Sequence, residues 1–516
     1  MSEFLKEISG KSTAVIPLVC KKVQELGTQY GIDYETVSIA DEYLRHRILD
    51  LVRNFFESEE PSAIVSSTIG HYCAVFSTAY VTAVENGGLD QMKTVVASVR
   101  AMRNMALQRR MFRIGYREPR DALHAAMLTL FTQSLKSGIA DETAMPYREE
   151  EEGSVRSEYA LSALFETAPL QSLSQEEIEY LWRVILPYAD RIPVKNSASG
   201  IVPFPIGEDG KTYVKLPANV KAAYHVGPGI PTFEGMDAIA QGRKDSKALW
   251  KPGQYLPKVN EGKLVEMAGK VLATWKGQQP KRRSEREKAK TLAPVFIAHG
   301  FELVRKLVAF SSYVNAGGSL EAHDAFRLGQ LLEAVRSQKP VSEVLSIGSG
   351  ITDPLDTLDM LERIAGGEST HRWHVNDRSD TGLGLMASGN HPWLVVGALV
   401  AVRESQETSW RVGVVRRVSL HDHRNSVGIE LLPPSALAVG VKEYEGDSRD
   451  RAEWFRLFDG IVIEGTVNRL IVPPRTLKGK SYWAFTPGNR RRYVSIVSPM
   501  VELAGSEEYV CLLGEM

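Results

Sequence analysis

The sequence predicts an α+β protein, helical at the front and antiparallel β at the back. Two patterns carry that prediction. Up to about residue 190, apolar side chains recur at mostly three- and four-residue spacings; after His371 they fall into short segments bounded by turn residues. Length and composition bound it: 516 residues allow two to four domains, and 43% hydrophobic with 24% charged residues is ordinary for soluble globular protein.

Each element has its own warrant. VSIADEYLRHRILDLVRNFFE places Ile39, Tyr43, Ile48, Leu51 and Phe55 on one helical face. KTVVASVRAMRNMALQRRMFRI repeats the period with Arg100, Arg103, Arg109, Arg110 and Arg113 interleaved, read as a solvated face packed on a core. PRDALHAAMLTLFTQSLKSG ends at a glycine suited to a C-cap. The charge run REEEEGSVRSE reads as a solvated loop or helix end. SLSQEEIEYLWRVILPYADRI opens with Ser174 ahead of Glu176 and Glu177, acidic residues that favour a helix start. SASGIVPFPIGEDGKTYVKLP then suggests a hairpin turning at Glu208-Asp209-Gly210. HVGPGIPTFEG and WKPGQYLP read as irregular, and KLVEMAGKVLATW as helix. APVFIAHGFELV reads as strand or strand-helix, and DAFRLGQLLEAVRS and LDTLDMLERIAG as helices. RWHVNDRS, LGLMAS, WLVVGALVAVRES, SWRVGVVRRVSL and NSVGIELL follow as strands, and the last 80 or so residues continue in β.

Charge and cysteines exclude several function classes. A formal net charge of -1 gives no global field for nucleic acid or an anionic membrane, so any anion site must be a local cluster. Cys20, Cys73 and Cys511 are scattered, which argues against structural zinc and a disulfide framework and fits a reducing cytosol. The N-terminus carries acidic residues early and too short an apolar run for a signal peptide. No uncharged apolar stretch reaches the roughly 18 to 20 residues a membrane helix needs. The expectation is a cytoplasmic protein with no membrane insertion and no nucleic-acid partner.

Two short motifs point to chemistry. KRRSERE holds Arg282 and Arg286 as R-x-x-x-R, and VNDRSDTGLGL holds Asp377, Ser379 and Gly382 as [D/N]-x-S-x-x-G. In this order, followed by the strands VVGALVAVRE, WRVGVVRRV and VGIELL, they resemble the PilZ domain over roughly residues 278–435. The resemblance implies a small β-barrel that binds cyclic di-GMP. Arg282 and Arg286 would grip phosphate and guanine, with Arg283 a further candidate. Asp377, Ser379 and Gly382 would cradle a guanine. The residue types suit that ligand. Arginine offers a planar, permanently charged fork for phosphate or the guanine O6/N7 edge. A carboxylate accepts from guanine N1–H and the exocyclic amine, a hydroxyl adapts, and glycine admits close backbone approach. About ninety residues separate the two motifs, so the barrel is expected to hold a helical insertion at about 303–368.

The organisation expected is therefore a helical domain (1–195), an irregular connector with hairpin and helix (196–275), a PilZ-like antiparallel barrel with insertion (276–435) and a C-terminal β module (436–516). The function implied is a non-enzymatic cyclic di-GMP effector that engages a protein partner through the helical domain, with no catalytic residues, metal or cofactor. Two alternatives remain. A barrel of this kind can serve as a scaffold without nucleotide affinity. Gly348-Ser349-Gly350 resembles the first motif of S-adenosylmethionine-dependent methyltransferases, although no nucleotide-fold sheet follows it. His371, His374, His421 and His423 lack an evident third ligand for a metal.

Overall fold

A computed structural model describes residues 15–315 and 370–514, apart from 58–62, 149, 197–202, 205–211, 214–223, 227, 243–260, 279–286, 289–293, 390, 405–406, 408, 421–424, 444–457, 486–490 and 498–499. The chain forms two compact units, residues 1–281 and 282–516.

The first unit is helical: α1 (Val15–Tyr30), α2 (Tyr34–Glu57), α3 (Ala63–Glu85), α4 (Gln91–Ile114), α5 (Asp121–Lys136), α6 (Val155–Phe165) and α7 (Gln175–Ile185). Local chemistry starts three of them. The Asp90 side chain accepts from Lys93 N at the head of α4, and Ser154 and Ser174 close capping boxes with Ser157 and Glu177 on α6 and α7. The buried face of α2 differs in part from the expected one. Ile39 is exposed, and Val37, Ala40, Leu44, Ile48, Leu51 and Phe55 form the stripe, because the helix turns Asp41 and Arg45 inward as well.

Those two residues belong to a buried polar network that corrects two expectations. Helix α4 is no solvated arginine face: Arg100, Arg109 and Arg110 are buried. The helix packs against α3, α5, α6 and α7, so every side of it meets protein. Nor is the whole acidic run free in water, although Glu151 and Glu152 are exposed. Glu150 bonds Arg45 and Arg103, Glu158 bonds Arg103, and farther along Glu166 holds Arg113 while Glu179 faces Arg110. At its centre the Asp41 carboxylate accepts from the hydroxyls of Tyr72, Tyr80 and Tyr147, the last two at 2.8 Å. Burial pushes the Asp41 carboxyl above its ordinary range, and Arg100 is the strongest influence pulling it back. Opposite charges spread through the sequence have been drawn inside as pairs, which lowers the desolvation penalty each would meet alone.

Beyond α7 come β1 (Val194–Asn196), β2 (Pro203–Phe204), β3 (Thr212–Tyr213) and β4 (Tyr224–Val226). Strands β2 and β3 pair antiparallel as the hairpin reading expects; its turn lies outside the described residues. Part of the segment read as irregular is instead helix α8 (Ile230–Ala240), where Pro231 occupies the first turn, the one helical position that needs no N–H. Helix α9 (Glu261–Trp275) buries Leu264, Met267, Val271 and Trp275, and Trp275 Nε1 donates to Thr167 Oγ1 at 2.8 Å.

The second unit contains two closed six-stranded antiparallel barrels. The first is built from β6 (Pro294–His299), β7 (Thr370–Ser379), β8 (Gly382–Ala387), β9 (Leu399–Glu404), β10 (Arg411–Leu420) and β11 (Asn425–Leu431); a short β5 (Glu287–Lys288) adds to β7. Its ring runs β6–β7–β8–β11–β10–β9 and back to β6. Helix α10 (Phe301–Asn315) leaves β6 through Gly300, whose φ of 86° suits a residue without Cβ. The remainder of the stretch between α10 and β7, including the Gly348 turn and the expected later helices, lies outside the described residues.

The second barrel uses β12 (Ala436–Glu443), β13 (Phe458–Ile463), β14 (Asn468–Val472), β15 (Ser481–Phe485), β16 (Arg491–Ile496) and β18 (Ser506–Gly514), with β17 (Val501–Leu503) at its side. Its ring is β12–β13–β14–β18–β16–β15 and back to β12. Ordered along the chain, both barrels pair strands one-two, two-three, three-six, six-five, five-four and four-one, so they share one connectivity. Helix α10 joins them. Phe301, Val304, Leu307 and Val308 share a core with Leu399, Ala401, Val412 and Val414 of the first barrel and Ile461, Ile463 and Ile471 of the second. Arg305 crosses to Asp459 at 2.6 Å.

Candidate ligand site on the first barrel

Strand alternation decides which side chains of the second motif face out. Leu383 and Leu385 of β8 are buried toward the barrel interior, so Gly382 and Gly384 face outward. Strand β7 carries Asp377 and Ser379 opposite them: Ser379 pairs with Gly382 and Asp377 with Gly384. The register slips between Val375 and Asp377, a β-bulge that re-aims the side chains beyond it. Ser379 Oγ donates to Gly382 O at 3.3 Å, which fixes the short turn between the strands. The structure thus brings Asp377, Ser379 and Gly382 together on the outer face.

Close packing explains the glycines. A Cβ on Gly382 would come within 3.2 Å of Ile429 O, and one on Gly384 within 2.5 Å of the Asp377 carboxylate. Gly384, which motif reading misses, lies against Asp377 in the same cluster; its signal is the doubled glycine of GLGL. Neighbouring charges are largely taken: Arg378 pairs with Glu404 at 2.9 Å and Arg416 with Glu430 at 2.7 Å.

Arg282, Arg283 and Arg286 lie outside the described residues. Strand β5, which starts at the residue after Arg286, is described. Glu287 pairs with Arg378 and Lys288 with Asp377. Strand β5, one residue after R-x-x-x-R, and strand β7, which carries the second motif, are thus neighbours in the sheet despite the roughly ninety residues between the motifs.

The family profile described as cyclic-di-GMP receptor FimW, middle PilZ domain, matches residues 361–437, which hold β7 to β11. The chain carries a PilZ domain. The sixth ring strand of its PilZ barrel, β6, lies before residue 361 and so falls outside the match. A second profile, cyclic-di-GMP receptor FimW, N-terminal domain, matches residues 33–198 and so spans most of the helical region. No curated protein and no solved structure matches the chain.

The far end of the PilZ barrel carries a different cluster. Trp393 stacks on His299 at 4.2 Å between ring centroids and on Trp373 at 5.5 Å, and its Nε1 donates to His371 Nε2 at 3.1 Å. His371, weighed in sequence as a metal ligand, is a partner in this stack. His374 is exposed, and His421 and His423 lie outside the described residues. Among the described residues no group of three or more His, Cys, Asp or Glu is arranged to hold a metal ion. Burial, then the neighbouring His371 and His391, push His299 down to about 4. Among the described residues no helix is long and apolar enough to cross a membrane.

Proposed function

We propose that this chain is a cytoplasmic, non-enzymatic receptor for cyclic di-GMP, with the ligand held on the outer face of β7 and β8 and the signal passed to a protein partner through the helical domain. The observation that supports the reading most is the register of β5. Lys288 pairs with Asp377, so the chain that carries R-x-x-x-R runs into the strand beside D-x-S-x-x-G. The two matched profiles, both described as belonging to a cyclic-di-GMP receptor, support it independently.

In this reading Arg282 and Arg286 grip phosphate and guanine, with Arg283 beside them for a second ligand molecule. Asp377 accepts from the Watson–Crick edge of guanine, Ser379 adds a hydroxyl, and Gly382 keeps the backbone approachable. Closure of the arginine segment over the ligand shifts the orientation of the preceding helical domain by as much as the closed form gains in affinity.

Calorimetric titration with cyclic di-GMP at physiological salt tests this. Wild type is expected to bind at micromolar concentration or tighter, with Arg286→Ala and Asp377→Ala each losing at least tenfold. No binding by folded wild type would leave the barrel as a scaffold.

A further inference from the structure

Arg417 of the first barrel belongs to neither motif, and its place in the sheet sets it apart from the barrel's other arginines. Arg417 on β10 pairs in register with Gly428 of β11, Gly428 pairs with Gly384 of β8, and Gly384 pairs with Asp377 of β7. One transverse row across four strands therefore reads Asp377, Gly384, Gly428, Arg417. Its two middle positions have no side chain.

The ends of the row are built alike. Asp377 is the first paired residue after a register slip in β7, and Arg417 the first after a slip between Val415 and Arg417 in β10. Bulges of this kind re-aim side chains and concentrate beside functional sites. A Cβ on Gly384 would meet the Asp377 carboxylate at 2.5–2.7 Å, and a Cβ on Gly428 would meet Arg417 Cβ at 3.3 Å and Nε at 3.5 Å. The carboxylate and the guanidinium thus lie over a two-glycine floor from opposite sides. Arg416 pairs with Glu430, whereas Arg417 has no ion-pair partner among the described residues.

We propose that Arg417 is a further ligand-contacting residue, and that the Gly384–Gly428 floor seats one guanine between it and Asp377. The inference rests on the cyclic di-GMP reading above and assigns both edges of that base. Three inter-strand steps span roughly 14 Å between the backbones of β7 and β10, and a rotamer change that lifts the carboxylate and the guanidinium off the two glycines opens that span to a purine. Asp377 takes the N1–H and exocyclic amine, and Arg417 donates to O6 and N7, the bidentate pairing a guanidinium makes best. A flat backbone floor is what a planar ring requires, and any side chain at Gly384 or Gly428 would occupy it.

The test titrates wild type, Arg417→Ala and Arg417→Lys with cyclic di-GMP and with its 7-deazaguanine analogue, checking each fold by thermal melting. Arg417→Ala is expected to lose roughly 10- to 100-fold in affinity for cyclic di-GMP, with Arg417→Lys recovering only part. Wild type is expected to lose several-fold on the deaza analogue, and Arg417→Ala to lose nothing further, because the contact is already gone. Unchanged affinity in Arg417→Ala, or a deaza penalty equal in wild type and variant, overturns the assignment while the receptor reading stands. Absence of binding by wild type overturns both.

Discussion

At the scale of single residues, the molecule hides charge where the sequence suggests exposure. Periodicity cannot tell a solvated arginine from a buried one. That distinction depends on partners remote in sequence, such as Glu150 for Arg45 and Glu158 for Arg103. The same holds for Asp41, which looks like a helix-surface acid in DEYLRHR yet serves three tyrosine hydroxyls. Replacing Asp41 with Ala would strand those hydroxyls in a water-free interior. The expected cost is about 3–5 kcal/mol, since removing one member of a buried charged network leaves the others uncompensated. Urea unfolding with the helical transition followed by circular dichroism measures it, and a loss below about 1 kcal/mol would mean the network contributes little. The motif residues, by contrast, were legible from type and spacing alone: Asp377, Ser379 and Gly382 meet as their pattern implies. The placement of Gly384 and Gly428 side by side was not, because it is set by cross-strand register.

At the scale of elements, most helices and strands of the described chain follow from apolar period, with caps at Ser174 and Asp90 where side-chain chemistry favours them. The bulges in β7 and β10 were invisible, since a bulge is defined by a partner strand and alternation within one strand continues through it. The stack at the far end of the barrel also depends on pairing, which sets His371 beside His299's strand. It makes the barrel sensitive to acid. His299 titrates near 4 in the folded protein against an ordinary 6.5, and His371 is lowered too, by burial first and then by His391. An unfolded chain therefore binds protons in this range that the folded one refuses. The stability these groups provide is fully present above about pH 6.5 and drains away as pH falls toward about 4. Melting temperature is expected to drop between pH 7 and pH 5, and His299→Phe, which keeps a stacking ring, is expected to reduce that drop. An identical pH profile in the variant would refute the role given to His299.

For the whole second unit, the shared connectivity of the two barrels sharpens the functional reading. The C-terminal module anticipated only as β structure is a second closed ring with the pairing order of the first. The outer face of its second and third strands, equivalent to the Asp377–Gly384 face, carries Ile461, Ile463 and Ile471, packed against α10 and the first barrel. The face that we propose for the ligand on one barrel is thus spent on assembly by the other. Burying that apolar face contributes the usual 25 or so cal/mol per Å² and makes α10 a shared wall. Leu307→Ala in that wall is expected to cost about 2–5 kcal/mol, read as a lowered denaturation midpoint. A change within about 0.5 kcal/mol would indicate that α10 does not hold the barrels together.

The most direct measurement is amide hydrogen exchange across the full chain with and without cyclic di-GMP. Protection is predicted to rise in 376–385 of β7 and β8, in 425–430 of β11 and around Arg286, and to stay unchanged in 458–472 of the second barrel. Protection confined to the second barrel or the helical unit, or none at saturating ligand, would contradict a site on the outer face of the first barrel.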